Sequence, residues 1–338
     1  MNARLKKILK YALLLVLVAV LLFFSFRGVE WGEFWDGLKN CRWGWVVGLF
    51  ALQWLITWLR GNRWRIMLQP IRREGTAPIT RRETYDAYAI CYLSNIGFPR
   101  SGEVVRCGLL GETRKTTFEG ALGTVVIERT WDMVCMLLAG VPLLFYGRFR
   151  DFMVEKMFKP AAGSVQIGGF WIALIVIAVG VGIFFLIRAF REQIGRTKFG
   201  AAFLKFFKGL GEGIAAAFRM KNKWGFFAYT LIIWIGYWIC SIWTLRALPA
   251  ADSLDALDAL FLMVVGSLGW VVPVQGGFGA YHFIVAMTLM PVYGFDKQTG
   301  LLFATLSHET QIVQMLICGL ISLVSWTLYR RKMKSESL

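Results

Sequence analysis

The apolar run Tyr85–Phe98 is too short to cross a bilayer and return, and the stretch Asn95–Arg106 (NIGFPRSGEVVR) breaks it. Gly97 and Pro99 interrupt the run, and Arg100, Glu103 and Arg106 stand immediately beyond the interruption. Broken backbone at membrane depth is tolerated only where protein or a wet cavity surrounds it. Charges at that depth are costly, rare and commonly functional. A chain carrying both features must fold the rest of itself as a scaffold around them.

Composition says which solvent that scaffold meets. Of 338 residues 57% are hydrophobic and the mean hydropathy is +0.55, which excludes an ordinary soluble domain and fits a polytopic membrane protein. The 38 Lys and Arg outnumber the 21 Asp and Glu for a net charge of +17, but the basic residues flank apolar runs. That placement speaks for membrane topology and anionic lipid. No nucleic-acid recognition motif accompanies the charge, so nucleic acid is excluded as a partner. Cys41, Cys91, Cys107, Cys135, Cys240 and Cys318 are scattered, with neither metal spacing nor a disulfide framework. Lys6, Lys7 and Lys10 before Tyr11–Phe26 imitate a signal peptide, yet no small-residue cleavage site follows, so the segment reads as an uncleaved first helix.

Six full spans are expected, near Ile8–Phe26, Trp43–Leu59, Gly120–Tyr146, Ile167–Ile187, Trp224–Leu245 and Gly300–Tyr329. Arg27–Arg42 reads as an outer loop and Gly147–Gln166 as another. Two broken re-entrant hairpins complete the set. The first enters at Thr84, breaks at Gly97–Arg100 and returns over Val104–Leu110; the second is Leu260–Val272, a break at Pro273–Gly279, then Tyr281–Val292. An interfacial helix pair is the competing reading of the first hairpin. Basic residues crowd Arg60–Arg82, Arg188–Lys223 and the tail Arg330–Lys334, while Glu30, Glu33, Asp36 and Asp252, Asp255, Asp258 mark the other side. This asymmetry places both termini in the cytoplasm. Within Arg188–Lys223, Phe199, Phe203, Phe207, Leu210, Ile214 and Phe218 recur at helical spacing, as in an amphipathic helix on an anionic leaflet. The fold class is therefore all-α, a single transmembrane domain over 1–338. Its halves, 1–147 and 166–332, read alike but start on opposite sides, as an inverted-topology repeat requires.

The polar residues inside these spans are the candidate site. Glu128 and Asp132 share a helix face, with Arg129 within reach of Asp132. About 12 Å into the span, they either line a headgroup- or proton-binding cavity or lock helices together as an ion-pair network. Arg100, Glu103 and Arg106 either open a half-helix whose N–H groups receive phosphate, or snorkel to the inner interface. The loop Pro273–Gly279 (PVQGGFG) either presents N–H donors to an anion or forms a tight turn. His308, Glu309, Gln311 and Gln314 are the second half's counterpart to Glu128 and Asp132. His282 and His308 are the only histidines and lie in separate elements, so neither a metal site nor a cofactor is expected. Asp252, Asp255 and Asp258 read as an exposed acidic face and helix cap rather than a Mg²⁺–diphosphate cluster.

The ordered combination of these motifs resembles the lysylphosphatidylglycerol synthase transmembrane family. It is carried by Asn95, Pro99, Arg100, Gly102, Glu103 and Arg106, then Glu128, Arg129 and Asp132, then Pro273, Gly276, Gly277 and Gly279, across about Leu9–Leu328. The resemblance implies an inner-membrane protein that moves or handles lipids, with those residues at its site. Two departures stand out. Tyr281-His282 occupies the place where the family often has Glu after the glycine motif. The sequence also ends at Leu338 without the aminoacyl-transferase domain of the full synthase, which implies that the chain does not make lysyl-phosphatidylglycerol itself. The expected activity is a flippase or transporter for a phosphate-bearing lipid with an anionic headgroup. The alternatives are a membrane enzyme using Glu128 or Asp132 as general base on a lipid-linked sugar or headgroup, and a non-catalytic scaffold for an envelope enzyme. Further partners under these readings are an envelope enzyme or a second copy of the chain.

Overall fold

The computed structural model describes residues 16, 18–148, 197–272 and 274–335. The expected span Ile167–Ile187, most of the loop Gly147–Gln166, the basic N-terminus with the start of the first span, the stretch 188–196 and Pro273 lie outside the described residues. Every regular element among those described is helical. They fall into two compact units: one runs to Val125 and resumes at Trp224, and the other is Val126–Lys223.

In the first unit, α1 covers residues 18–26 and α2 is Trp31–Lys39. The latter replaces the expected outer loop. Trp31, Phe34 and Phe26 pack ring on ring, which gives a nine-residue segment an apolar side to bury. Helix α3, Trp43–Leu68, runs nine residues beyond the expected end at Leu59 and so carries Arg60, Arg63 and Arg65 as helix rather than loop. Nothing between Leu59 and Pro70 forces a stop, and Pro70 lies just past its end. Helix α4, Arg81–Gly97, is opened by a reciprocal cap in which Thr80 Oγ1 accepts from the Glu83 N–H and Glu83 accepts from the Thr80 N–H. Lys115 Nζ, 2.8 Å from the Glu83 carboxylate, and the Tyr329 hydroxyl fasten the same residue to its surroundings. Helix α5, Gly102–Glu112, folds back against α4.

Helix α6, Phe118–Gly140, ends six residues before the expected Tyr146, in a 3-10 turn at Pro142–Phe145. It passes from the first unit into the second. There α7, Lys198–Arg219, packs on it: Gly213 lies against Thr130 and the rings of Trp131 and Phe218 are 5.6 Å apart. The stretch expected to be an amphipathic helix is thus helical, with Leu210 and Ile214 half-buried and Phe218 exposed.

The first unit resumes with α8, Lys223–Ala247, and α9, Ala256–Val271. Asp255 caps α9 in a second reciprocal box with Asp258. The acidic triplet is therefore not uniformly exposed, because Asp258 is buried by this pairing. Asp252 instead receives both Arg42 nitrogens at 2.6 Å. Those hydrogen bonds outweigh desolvation and hold its carboxyl below its ordinary range. A turn at Gln275–Gly277 leads to α10, Ala280–Tyr293, and α11, Lys297–Ser335, packs against α4, α10, α3 and α2. Lys297 Nζ donates to the carbonyls of Phe24 and Arg27, closing the end of α1. Of the described helices, α8 and α11 are long and apolar enough to cross a membrane.

Candidate functional site

Both expected hairpins are helix–break–helix units, α4–α5 and α9–α10, and their breaks meet. Arg100, in a left-handed backbone conformation with φ of 60°, donates from its guanidinium to the Val271 carbonyl at 2.8 Å, and the Gln275–Gly277 turn packs on α4. Arg100 is thus committed to the second break rather than simply snorkelling. The first break is pinned by local bonds. Asn95 Oδ1 accepts from the Gly102 N–H at 2.8 Å, and Ser101 Oγ donates to the carbonyls of Ser94 and Phe98. The N–H at the start of α5, expected to be offered to phosphate, is therefore already used by Asn95. Gly102 is demanded by proximity: a Cβ there would lie 2.1 Å from the Cys91 carbonyl oxygen of α4. Pro99 forms the corner, and Glu103 carries a buried carboxylate oxygen without a hydrogen-bond partner among the described residues.

Arg106 is fully buried, its guanidinium 4.6 Å from the Trp64 ring centre and 4.5 Å from that of Tyr88. It does not snorkel. Stacking between two aromatic faces is a setting that suits a planar, weakly hydrated guanidinium. Arg60 meets the same tyrosine, donating to its hydroxyl at 2.9 Å and to the Tyr237 hydroxyl at 2.6 Å. Arg63, also buried, lies over Phe226 and donates to Thr230. Arg60, Arg63, Trp64 and Tyr88 were not among the residues expected at the site. The signal was present, since Arg60 and Arg63 stand one helical turn apart with no breaker between them and Trp43. In the sequence alone they read as topology charges.

The second break owes its shape to Gly276, Gly277 and Gly279, all with φ between 53° and 78°. L side chains are strained there, which accounts for three glycines in four residues. At Gly279 a side chain would also strike Leu21 of α1. The Gly276 carbonyl accepts from His308 Nε2 at 2.8 Å. His308 Nδ1 lies 3.0 Å from Glu309 Oε1, and His282 Nε2 lies 3.4 Å from the same oxygen. His308 and Glu309 thus join this turn, together with His282, which was not among the expected site residues.

In the second unit Glu128 is buried, and Arg129 bridges it at 2.8 Å and Asp132 at 3.7 Å. The predicted pairing of Arg129 with Asp132 is present, and the stronger contact is to its sequence neighbour Glu128.

The chain matches a family described as the lysylphosphatidylglycerol synthase TM region over residues 9–319. The chain belongs to this family. No curated protein and no solved structure matches it. As a member of the lysylphosphatidylglycerol synthase TM-region family it is a membrane protein, and the family is associated with lipids. The buried arginines and the paired helix breaks above lie within the matched residues.

Proposed function

We propose that this protein is a lipid flippase or transporter that carries a phosphate-bearing, anionic headgroup past the two meeting helix breaks. The observation that carries the reading is the junction itself: Arg100 of the first break bonded to Val271 at the second, with Arg106 and Arg60 buried against Tyr88 on the α4 side. A planar guanidinium suits a phosphate because it can donate two parallel hydrogen bonds to it. The proposal includes six spans and two re-entrant hairpins in the inner membrane, both termini cytoplasmic, α7 on the inner leaflet, and halves 1–147 and 166–332 related as an inverted repeat. Support for the repeat is the shared order of broken hairpin followed by a helix with early polar residues, Glu128 in α6 and Glu309 in α11. Transport rather than chemistry is favoured because Glu128 is tied to Arg129, and a paired carboxylate is a poor general base.

The test is reconstitution of the purified chain into liposomes carrying a labelled anionic phospholipid in one leaflet, followed by a membrane-impermeant quencher. Headgroup translocation above the protein-free rate supports the proposal. A rate equal to that of protein-free liposomes for anionic and zwitterionic phospholipids alike would sink it.

A further inference from the structure

We infer that His282, His308 and Glu309 form a binding site for a divalent transition-metal ion of the zinc class. One ligand atom from each of the three lies within 4.8 Å of the others. The two measured edges, 3.0 Å from His308 Nδ1 to Glu309 Oε1 and 3.4 Å from His282 Nε2 to the same oxygen, bracket a tetrahedral edge. That edge is about 3.3 Å for metal–ligand bonds of about 2.0–2.1 Å.

Proton accounting makes the same demand. The Gly276 carbonyl can only accept, so His308 Nε2 at 2.8 Å must carry the hydrogen. In a neutral ring Nδ1 is then a bare lone pair, facing a carboxylate oxygen that also only accepts. Two acceptors 3.0 Å apart need a cation between them. A proton serves two acceptors, whereas here a second ring nitrogen, His282 Nε2, also converges on the same oxygen. Independently, His282 is 2% exposed and its Nδ1 has no hydrogen-bond partner among the described residues. Burying such a ring is costly; coordination through Nε2 offsets part of that cost and leaves the hydrogen on Nδ1.

The surroundings are those of a metal-holding imidazole. A ligating histidine ordinarily donates its other N–H to a carbonyl or carboxylate, which fixes the tautomer and raises ligand basicity. Here the Gly276 carbonyl, turned by the left-handed backbone of Gly276 and Gly277, does that for His308. The rings of Trp270, Phe278 and Tyr281 surround the His308 ring at 5.1–5.4 Å between centres, and Phe26 lies against His282. Two histidines and one carboxylate match the donor preference of Zn²⁺ and leave a fourth position for an oxygen ligand. Glu309, whose side chain is 38% exposed, gives that position access from outside. The ion ties α10, the second break and α11 together at one point. This inference does not depend on the transport reading.

The test uses the full chain purified without a histidine tag, loaded with Zn²⁺ or with Co²⁺, desalted and measured for metal by elemental analysis. We expect about one ion per chain, and for Co²⁺ the intense visible bands of a four-coordinate site. His282→Ala and His308→Ala should abolish the binding. Glu309→Gln, at the exposed corner, should weaken it at least tenfold while leaving the far-ultraviolet helical signal intact. Wild-type protein that holds no metal after loading would overturn the inference and leave a shared proton between His308 and Glu309. Metal retained equally by the wild type and both histidine variants would overturn it too, as adventitious surface binding.

Discussion

Replacing Gly102 by Ala is the sharpest test of the α4–α5 junction. The new methyl group would sit 2.1 Å from the Cys91 carbonyl oxygen, 2.8 Å from its carbon and 2.7 Å from Cys91 Sγ. Carbon–oxygen contacts ordinarily begin at about 3.3 Å, so the two helices must part by roughly 1.2 Å. The obstacle is backbone and cannot swing aside as a side chain would. Overpacking of a filled interior costs about 1–3 kcal/mol, and this geometry belongs at the top of that range, about 3 kcal/mol. At about 1.4 kcal/mol per decade the folding equilibrium falls roughly a hundredfold. Parting the helices also stretches the bond from the Gly102 N–H to Asn95, so the break loses its pin. The internal control is Gly108 in the same helix, where an added Cβ meets nothing within 4 Å. There alanine should be neutral or stabilising by up to about 1 kcal/mol through helix propensity. Denaturant unfolding in detergent micelles, followed by far-ultraviolet circular dichroism, measures both variants against the wild type. A Gly102→Ala protein within about 0.5 kcal/mol of wild type, the range of inert surface changes, would refute the close crossing.

Other outcomes follow from the same geometry. Single cysteines at positions 36 and 255 should react with an impermeant reagent from outside intact cells while position 73 stays protected; labelling at 73 would remove the proposed topology. Cysteines replacing Arg100 and Val271 should be joined by a short bifunctional reagent, because these residues are in hydrogen-bond contact; failure alongside success within α4–α5 would separate the breaks. Gly102 is unsuitable as a crosslinking position for the steric reason given. Arg106→Lys should express but slow lipid translocation roughly tenfold, the equivalent of losing one charge-assisted hydrogen bond to phosphate of about 1.5 kcal/mol; full activity would exclude a role for the planar guanidinium. Asp252→Asn should lower the melting temperature slightly at pH 7. Because Arg42 depresses the folded-state pKa of Asp252, the wild-type advantage is present above the ordinary carboxylate pKa of about 4 and is lost as pH falls below it. A difference that persists unchanged at roughly pH 2 would contradict the pairing.

The breaks were legible in sequence because their cause is local. Pro99 cannot continue the helix that ends at Gly97, and Gly276, Gly277 and Gly279 mark backbone that side chains would strain. The cap at Asp255 was legible for the same reason. What stayed hidden is what distant segments do to each other. Arg60 and Arg63 carry the same charge as Arg72 or Arg81, and only the packing of Tyr88, Tyr237 and Phe226 against α3 separates a buried guanidinium from a topology signal. His282 and His308 are 26 residues apart on two helices, a spacing without meaning until the second break folds them together. Helix α2 escaped notice because a nine-residue amphipathic segment full of charge looks like a loop until Phe26 and Phe34 give it something to cover.

The lysine clamp at the start of α11 also sets a timetable for biogenesis. The carbonyls of Phe24 and Arg27 are closed by Lys297, which is synthesised 270 residues after Arg27. At roughly 5–20 residues per second, roughly 15 to 50 seconds separate the two. Through that interval α1 has neighbours of its final fold, Gly279 and His282 among them, still untranslated. Lipid or the insertion machinery must occupy their places meanwhile. A chain stopped anywhere before Lys297 leaves α1 without this anchor, a ready target for quality-control proteolysis.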